Sequence, residues 1–125
     1  MEAVRVTVSD PGPEGHSTFF VTFRPTRPDW PAELTPDEER ALGEHADGLS
    51  RLADEGTCVM AGPCLDAQLG VGVLDGLDVG AVRAYLEQDP MVVAGCFTAD
   101  ARAMRLSFER VSPSGAPRRE PTPGA

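Results

Sequence analysis

Val4, Val6 and Val8 alternate with Arg5, Thr7 and Ser9, a two-residue period that predicts a short strand with one buried face. The run Asp10-Pro-Gly-Pro-Glu-Gly15 breaks regular structure. Thr18-Phe-Phe-Val-Thr-Phe-Arg24, rich in aromatic and β-branched residues, predicts the first full strand. Prolines at 25, 28, 31 and 36 then hold the chain in a loop. The period changes at Thr35. Thr35, Pro36 and Glu38 form a capping box with proline at the first helical position. Leu42, His45, Leu49 and Leu52 follow as one stripe of a helix, and Gly56 ends it in the left-handed conformation. Gly43 and Gly48 inside that helix each cost about 1 kcal/mol relative to alanine, and close backbone approach is the usual compensation.

Thr57 to Ala61 predicts a second strand stopped at Gly62-Pro63, and Gly70 to Asp75 a third. Asp78 caps a second helix that buries Val79, Val82 and Leu86 and exits at Asp89-Pro90. A last strand is expected within Ala103 to Val111, where Met104, Leu106, Phe108 and Arg110 share a face. From Ser112 to Ala125, prolines and glycines without apolar pattern predict a disordered tail. The domain plan is an N-terminal extension over 1–17, with a possible edge strand, a folded domain over 18–111 and the tail. The order βαββαβ predicts an α+β, ferredoxin-like sandwich with two helices on one face of an antiparallel sheet. Its other face is left bare, and a second copy covering it, a homodimer, is the simplest closed solution.

Composition limits the partners. At 125 residues the chain suits a single core. A net charge of -9 argues against nucleic acid and anionic membrane surfaces as partners. No apolar run approaches a membrane span, and no basic, apolar leader opens the chain. Cys58, Cys64 and Cys96, an odd and widely spaced set, fit a reducing, cytoplasmic compartment. They offer no metal-ligand spacing with His16 and His45. Phosphate-cradling GxxxxGK[ST], dinucleotide GxGxxG and the GxSxG nucleophile elbow are all missing, so no cofactor is expected.

Two residues carry the chemistry. His45 places an imidazole, the side chain that exchanges protons near neutrality, on the inward face of the first helix. Asp89 places a carboxylate at a proline-fixed helix exit, where it either bonds local backbone or holds the imidazole in one tautomer. A histidine satisfied inside the core is the plain alternative for His45. Weaker candidates each have a plainer role: Asp66 as a turn residue, Arg24 as a solvated cation rather than an anion site, Trp30 as a pin for its loop rather than a lid. Tyr85 and the cysteines read as core.

His45 in its leucine-striped helix, Gly56, Ala61-Gly62-Pro63, Asp89-Pro90 and Ala94-Gly95 together resemble the YCII-related (YciI-like) family, over roughly Thr18 to Arg110. The resemblance implies a dimeric α+β barrel and a His–Asp site in a cleft, carried here by His45 and Asp89. The chain departs from the family pattern in its extension, in the Pro-rich insertion Pro25 to Leu34 that carries Trp30, and in Ala46, where leucine commonly follows the histidine.

Two functions fit. In the first, the protein is a cofactor-independent lyase or isomerase acting on a small carbonyl-bearing or aromatic metabolite, neutral or anionic. His45 is the base, Asp89 holds the ring, and backbone N–H groups near Gly62 or Gly95 stabilise an oxyanion. Arg24, Trp30, Pro63 and Asp66 complete the expected binding set. In the second, it is a non-catalytic dimeric ligand-binding or accessory module.

Overall fold

A computed structural model describes residues 5–10 and 18–109. The chain runs β1 (Val6–Val8), β2 (Thr18–Pro25), α1 (Pro36–Asp54), β3 (Cys58–Pro63), β4 (Gly70–Leu74), α2 (Val79–Glu87), α3 (Pro90–Val93) and β5 (Phe97–Met104). The break expected after Asp10 and the tail expected from Ser112 lie outside the described residues.

The strands form one sheet in the order β1-β5-β2-β4-β3. Four of them, β5, β2, β4 and β3, are antiparallel neighbours in ferredoxin-like order. β1 adds in parallel to the outer side of β5, so the sheet is mixed rather than purely antiparallel.

Alternation divides the sheet into two faces. Val6, Phe19, Val21, Phe23, Leu74, Ala99 and Ala101 face the helices and are buried with Val82, Leu86, Met91 and Val92. The other face carries Phe20, Thr22 and Arg24 of β2 beside Val71 and Val73 of β4, and Asp100 and Arg102 of β5. No described helix covers it.

Three local expectations are corrected. The last strand spans Phe97–Met104, with residues 105–109 irregular. The alternation of Met104, Leu106 and Phe108 imitates a strand, whereas the real one turns alanines 99, 101 and 103 toward the helices. These carry too little apolar signal to stand out, but they leave room for α3 above β5. Second, α2 ends before Pro90 as expected, but a further helix, not foreseen, begins there. Pro90 is the first residue of α3, and Asp89 is that helix's N-cap. Third, β3 continues through Gly62 and Pro63, which an edge strand tolerates because one side makes no ladder bonds.

The helical glycines differ from each other. A Cβ at Gly48 would lie 3.3 Å from the Tyr85 hydroxyl, so glycine there leaves room for the tip of that side chain against α1. A Cβ at Gly43 would meet open space. Gly56 ends α1 at φ +85°, a conformation glycine adopts without penalty.

Candidate active site

The site begins with the phase of α1. Thr35 Oγ1 accepts from the Glu38 amide at 3.1 Å, and Glu38 Oε1 accepts from the Thr35 amide at 2.9 Å, completing the capping box. Ala41 and His45, four residues apart, are the buried residues of the helix. His45 is only 8% exposed, with Phe23 and Phe97 edge-on at ring-centroid distances of 4.9 and 5.6 Å.

Asp89, 2% exposed, meets this ring from the α2–α3 junction. Its Oδ2 accepts from the Met91 and Val92 amides at 3.0 and 3.3 Å, which fixes the carboxylate as the cap of α3. Its Oδ1 lies 2.6 Å from His45 Nδ1. An ionised carboxylate only accepts, so Nδ1 carries the proton, and in the neutral ring Nε2 is left with its lone pair. The two roles foreseen for Asp89, local cap and histidine partner, coexist, one on each oxygen. Among the described residues nothing bonds Nε2, and no side-chain nitrogen or oxygen is both sealed and unpartnered. Nε2 is therefore reachable.

What it reaches is a cavity of about 570 Å³ between α1, the edge strand β3 and the Pro-rich loop. His45 shares its wall with Phe23, Trp30, Leu42, Leu49 and Phe97. In β3 the register slips between Cys58 and Met60, inserting Val59 as a bulge beside the same space. Burial pushes the Cys58 thiol above its usual range, so it lines the cavity as a neutral group. Tyr85 stands behind α1, its hydroxyl pushed up to about 12 first by burial and then by the Asp89 charge.

The rim is held by a charged cluster. Arg27 Nε and Nη2 donate to the two Glu38 oxygens at 3.1 Å each, and Nη1 donates to Asp29 at 2.9 Å. These bonds hold Glu38 and Asp29 below the ordinary carboxylate range and raise Arg27. The guanidinium lies 5.2 Å from the centre of the Trp30 ring, and Gln68 Nε2 donates to the Trp30 carbonyl at 2.7 Å. Trp30 packs edge-on against Phe97 at 5.4 Å. The loop is thus pinned at both ends, with its indole set in the cavity wall.

The expected binding residues separate by face. Trp30, Gly62 and Pro63 line the cavity, and so does Ala46. Arg24 does not: it is one step out of phase with Phe23, so its side chain leaves from the opposite face of the sheet. Asp66 is exposed in the β3–β4 turn, accepting from the Gln68 amide at 3.0 Å. Gly95 turns the chain after α3 at φ +77°, its amide already spent on the Val92 carbonyl at 3.0 Å. Phe23 and Phe97, which wall the histidine, were not anticipated. The phase of Phe23 with Phe19 and Val21 was a usable signal; Phe97 was hidden by the misplaced last strand.

Among the described residues, no cluster of three His, Cys, Asp or Glu side chains is placed to hold a metal ion. No described helix is long and apolar enough to cross a membrane. Comparison with curated proteins finds no match. A family model for the YCII-related domain matches residues 18–101. That span runs from the start of β2 into β5 and contains both His45 and Asp89, and the chain accordingly belongs to the YCII-related family.

Proposed function

We propose that the protein is a cofactor-independent lyase or isomerase in which His45 Nε2 removes a proton made acidic by a neighbouring carbonyl. The observation that carries this reading is a single hydrogen bond. Asp89 Oδ1, 2.6 Å from Nδ1, commits the ring's proton to that side and leaves the basic nitrogen facing a cavity. As Nε2 takes the substrate proton, the imidazolium is stabilised by the adjacent carboxylate, whose other oxygen accepts from the Met91 and Val92 amides. β3 is an edge strand, so some of its backbone groups point away from β4. Those near Gly62 are the source of donors for a developing oxyanion.

The test is proton exchange. A panel of small enolisable ketones incubated in D₂O with the protein is followed by proton NMR for loss of the signal next to the carbonyl. Wild type accelerates exchange of at least one ketone, and His45→Gln lowers that rate by about 10²- to 10⁴-fold. Equal rates in a folded His45→Gln protein would remove His45 as the base. They would favour the non-catalytic binding module.

The same reading includes a homodimer in a reducing cytoplasm. Support for the dimer is the helix-free sheet face with the half-buried Phe20 and Val71, flanked by Met60 at 55% exposure. Sedimentation of wild type against Phe20→Asp tests it, with a dimer expected for the first and a monomer for the second. The free Cys58, Cys64 and Cys96 support the compartment.

A further inference from the structure

We propose that this cavity selects a neutral, largely apolar carbonyl compound and rejects both carboxylates and ammonium ions. The inference rests on the cavity being the substrate site of the His45 base. Three observations carry it.

First, among the described residues no Arg, Lys, Asp or Glu side chain lines the cavity. A charged ligand would lose its hydration there without gaining a counter-charge, which is costly in an apolar surround.

Second, the His45–Asp89 pair cannot supply net positive charge. With Asp89 ionised, the His45–Asp89 pair is net neutral when the ring is protonated and net negative when it is not. A carboxylate therefore meets either no charge or repulsion. This matters because histidine alone would read as an anion site.

Third, the nearby arginines are out of play. Arg24 leaves from the far face of the sheet. Arg27 spends its guanidinium on Glu38 and Asp29, bringing two carboxylates with it to the rim. It also sits 5.2 Å from the Trp30 ring centre, so an ammonium ion seeking that aromatic surface meets a cation already there. Phe23, Phe97, Leu42 and Leu49 are left to bind by apolar contact, with His45 Nε2 and the β3 backbone as the orienting polar groups.

The sole tryptophan reports on this wall directly. Full-length protein is titrated with three non-fluorescent, size-matched probes: decalone, decalin carboxylate and decalinyl ammonium. Trp30 emission gives the affinity, and calorimetry on Trp30→Phe provides a readout independent of the indole. Decalone is expected to bind at least about tenfold more tightly than either ion. Equal or tighter binding of an ion overturns the proposal, as does the lack of saturable ketone binding.

His45→Gln separates this claim from the base. The preference for ketone over carboxylate should persist in that variant, because walls and missing cations create it. Loss of proton exchange in wild type with the preference intact removes only the catalytic reading. Exchange catalysis together with carboxylate preference removes only this one.

Discussion

Among the described residues, Glu38 and His45 of helix α1, two helical turns apart, each bond a charged side chain from elsewhere in the chain, and the two arrangements are opposites. At Glu38 the Arg27–Asp29–Glu38 cluster is part-buried and closed on itself: the guanidinium is held from three nitrogens, and both Glu38 oxygens are used. At His45 the pair is buried, and it is open. One imidazole nitrogen is committed to Asp89 at 2.6 Å, while the other has no bond among the described residues. The first arrangement holds a loop in place. The second buries a polar ring and leaves one of its nitrogens without a protein partner, the feature on which the proposed base rests. The contrast shows that the number of charges in a cluster says less about function than whether a polar atom is left over and where it points.

The largest effect should come from removing Asp89. Asp89→Ala deprives His45 Nδ1 and the Met91 and Val92 amides of their acceptor in the core. Urea denaturation should show a loss of about 3–5 kcal/mol, the range for breaking a buried polar pair from one side. A loss below about 1 kcal/mol would mean that water replaces the carboxylate, and that the pair is less enclosed than its burial implies.

Alkaline pH gives a smaller effect on the same side of the molecule. The Tyr85 hydroxyl is raised from 10.0 to about 12 in the folded state. A raised value favours the protonated form, so this stabilisation is complete below pH 10 and is lost as pH rises toward 12. The melting temperature should fall across that window in wild type, and the fall should be shallower in Tyr85→Phe.

The two glycines of α1 separate packing from propensity. Gly43→Ala, in open space, should stabilise by about 0.5–1 kcal/mol. Gly48→Ala should fail to gain as much, since its Cβ presses on the Tyr85 hydroxyl at 3.3 Å. Equal gains at both would show that the Tyr85 side chain moves aside freely.

The rim cluster should matter least to global stability. Arg27→Met should lower the melting temperature only slightly yet alter Trp30 emission, because the Asp29 pair is screened and the Glu38 pair is only part-buried, while the indole loses its pinned neighbour. Acid should do the same to wild type. Glu38 and Asp29 are held low, so their contribution is present at and above the ordinary carboxylate range. It is lost as pH falls through the lowered values.

Much of this was legible from residue types because the signals are local. The capping box at Thr35, the stripe Leu42–His45–Leu49 and the strand at Thr18 each depend on a few neighbouring positions, and each sits where those positions put it. The misreadings arose where tertiary context decides. β5 is a strand because β1 and β2 flank it, and its inward alanines look featureless without them. Asp89 was found as a candidate through its proline neighbour, but its bond to a ring 44 residues away is a product of the fold. Arg24 and His45 fall on opposite faces of one layer, a fact that depends on strand phase and not on composition. The uncharged character of the cavity follows from that separation.

The most direct test is the tautomer of His45, read from ring nitrogen shifts in long-range proton–nitrogen NMR on the alkaline side of neutrality, with His16→Gln to assign the two histidines. Wild type should show a protonated Nδ1 and a bare Nε2. Asp89→Asn, which presents an amide NH₂ to Nδ1, should reverse the two. A wild-type ring protonated at Nε2, or one indifferent to Asp89→Asn, would contradict the account, because the nitrogen facing the cavity could then not serve as the base.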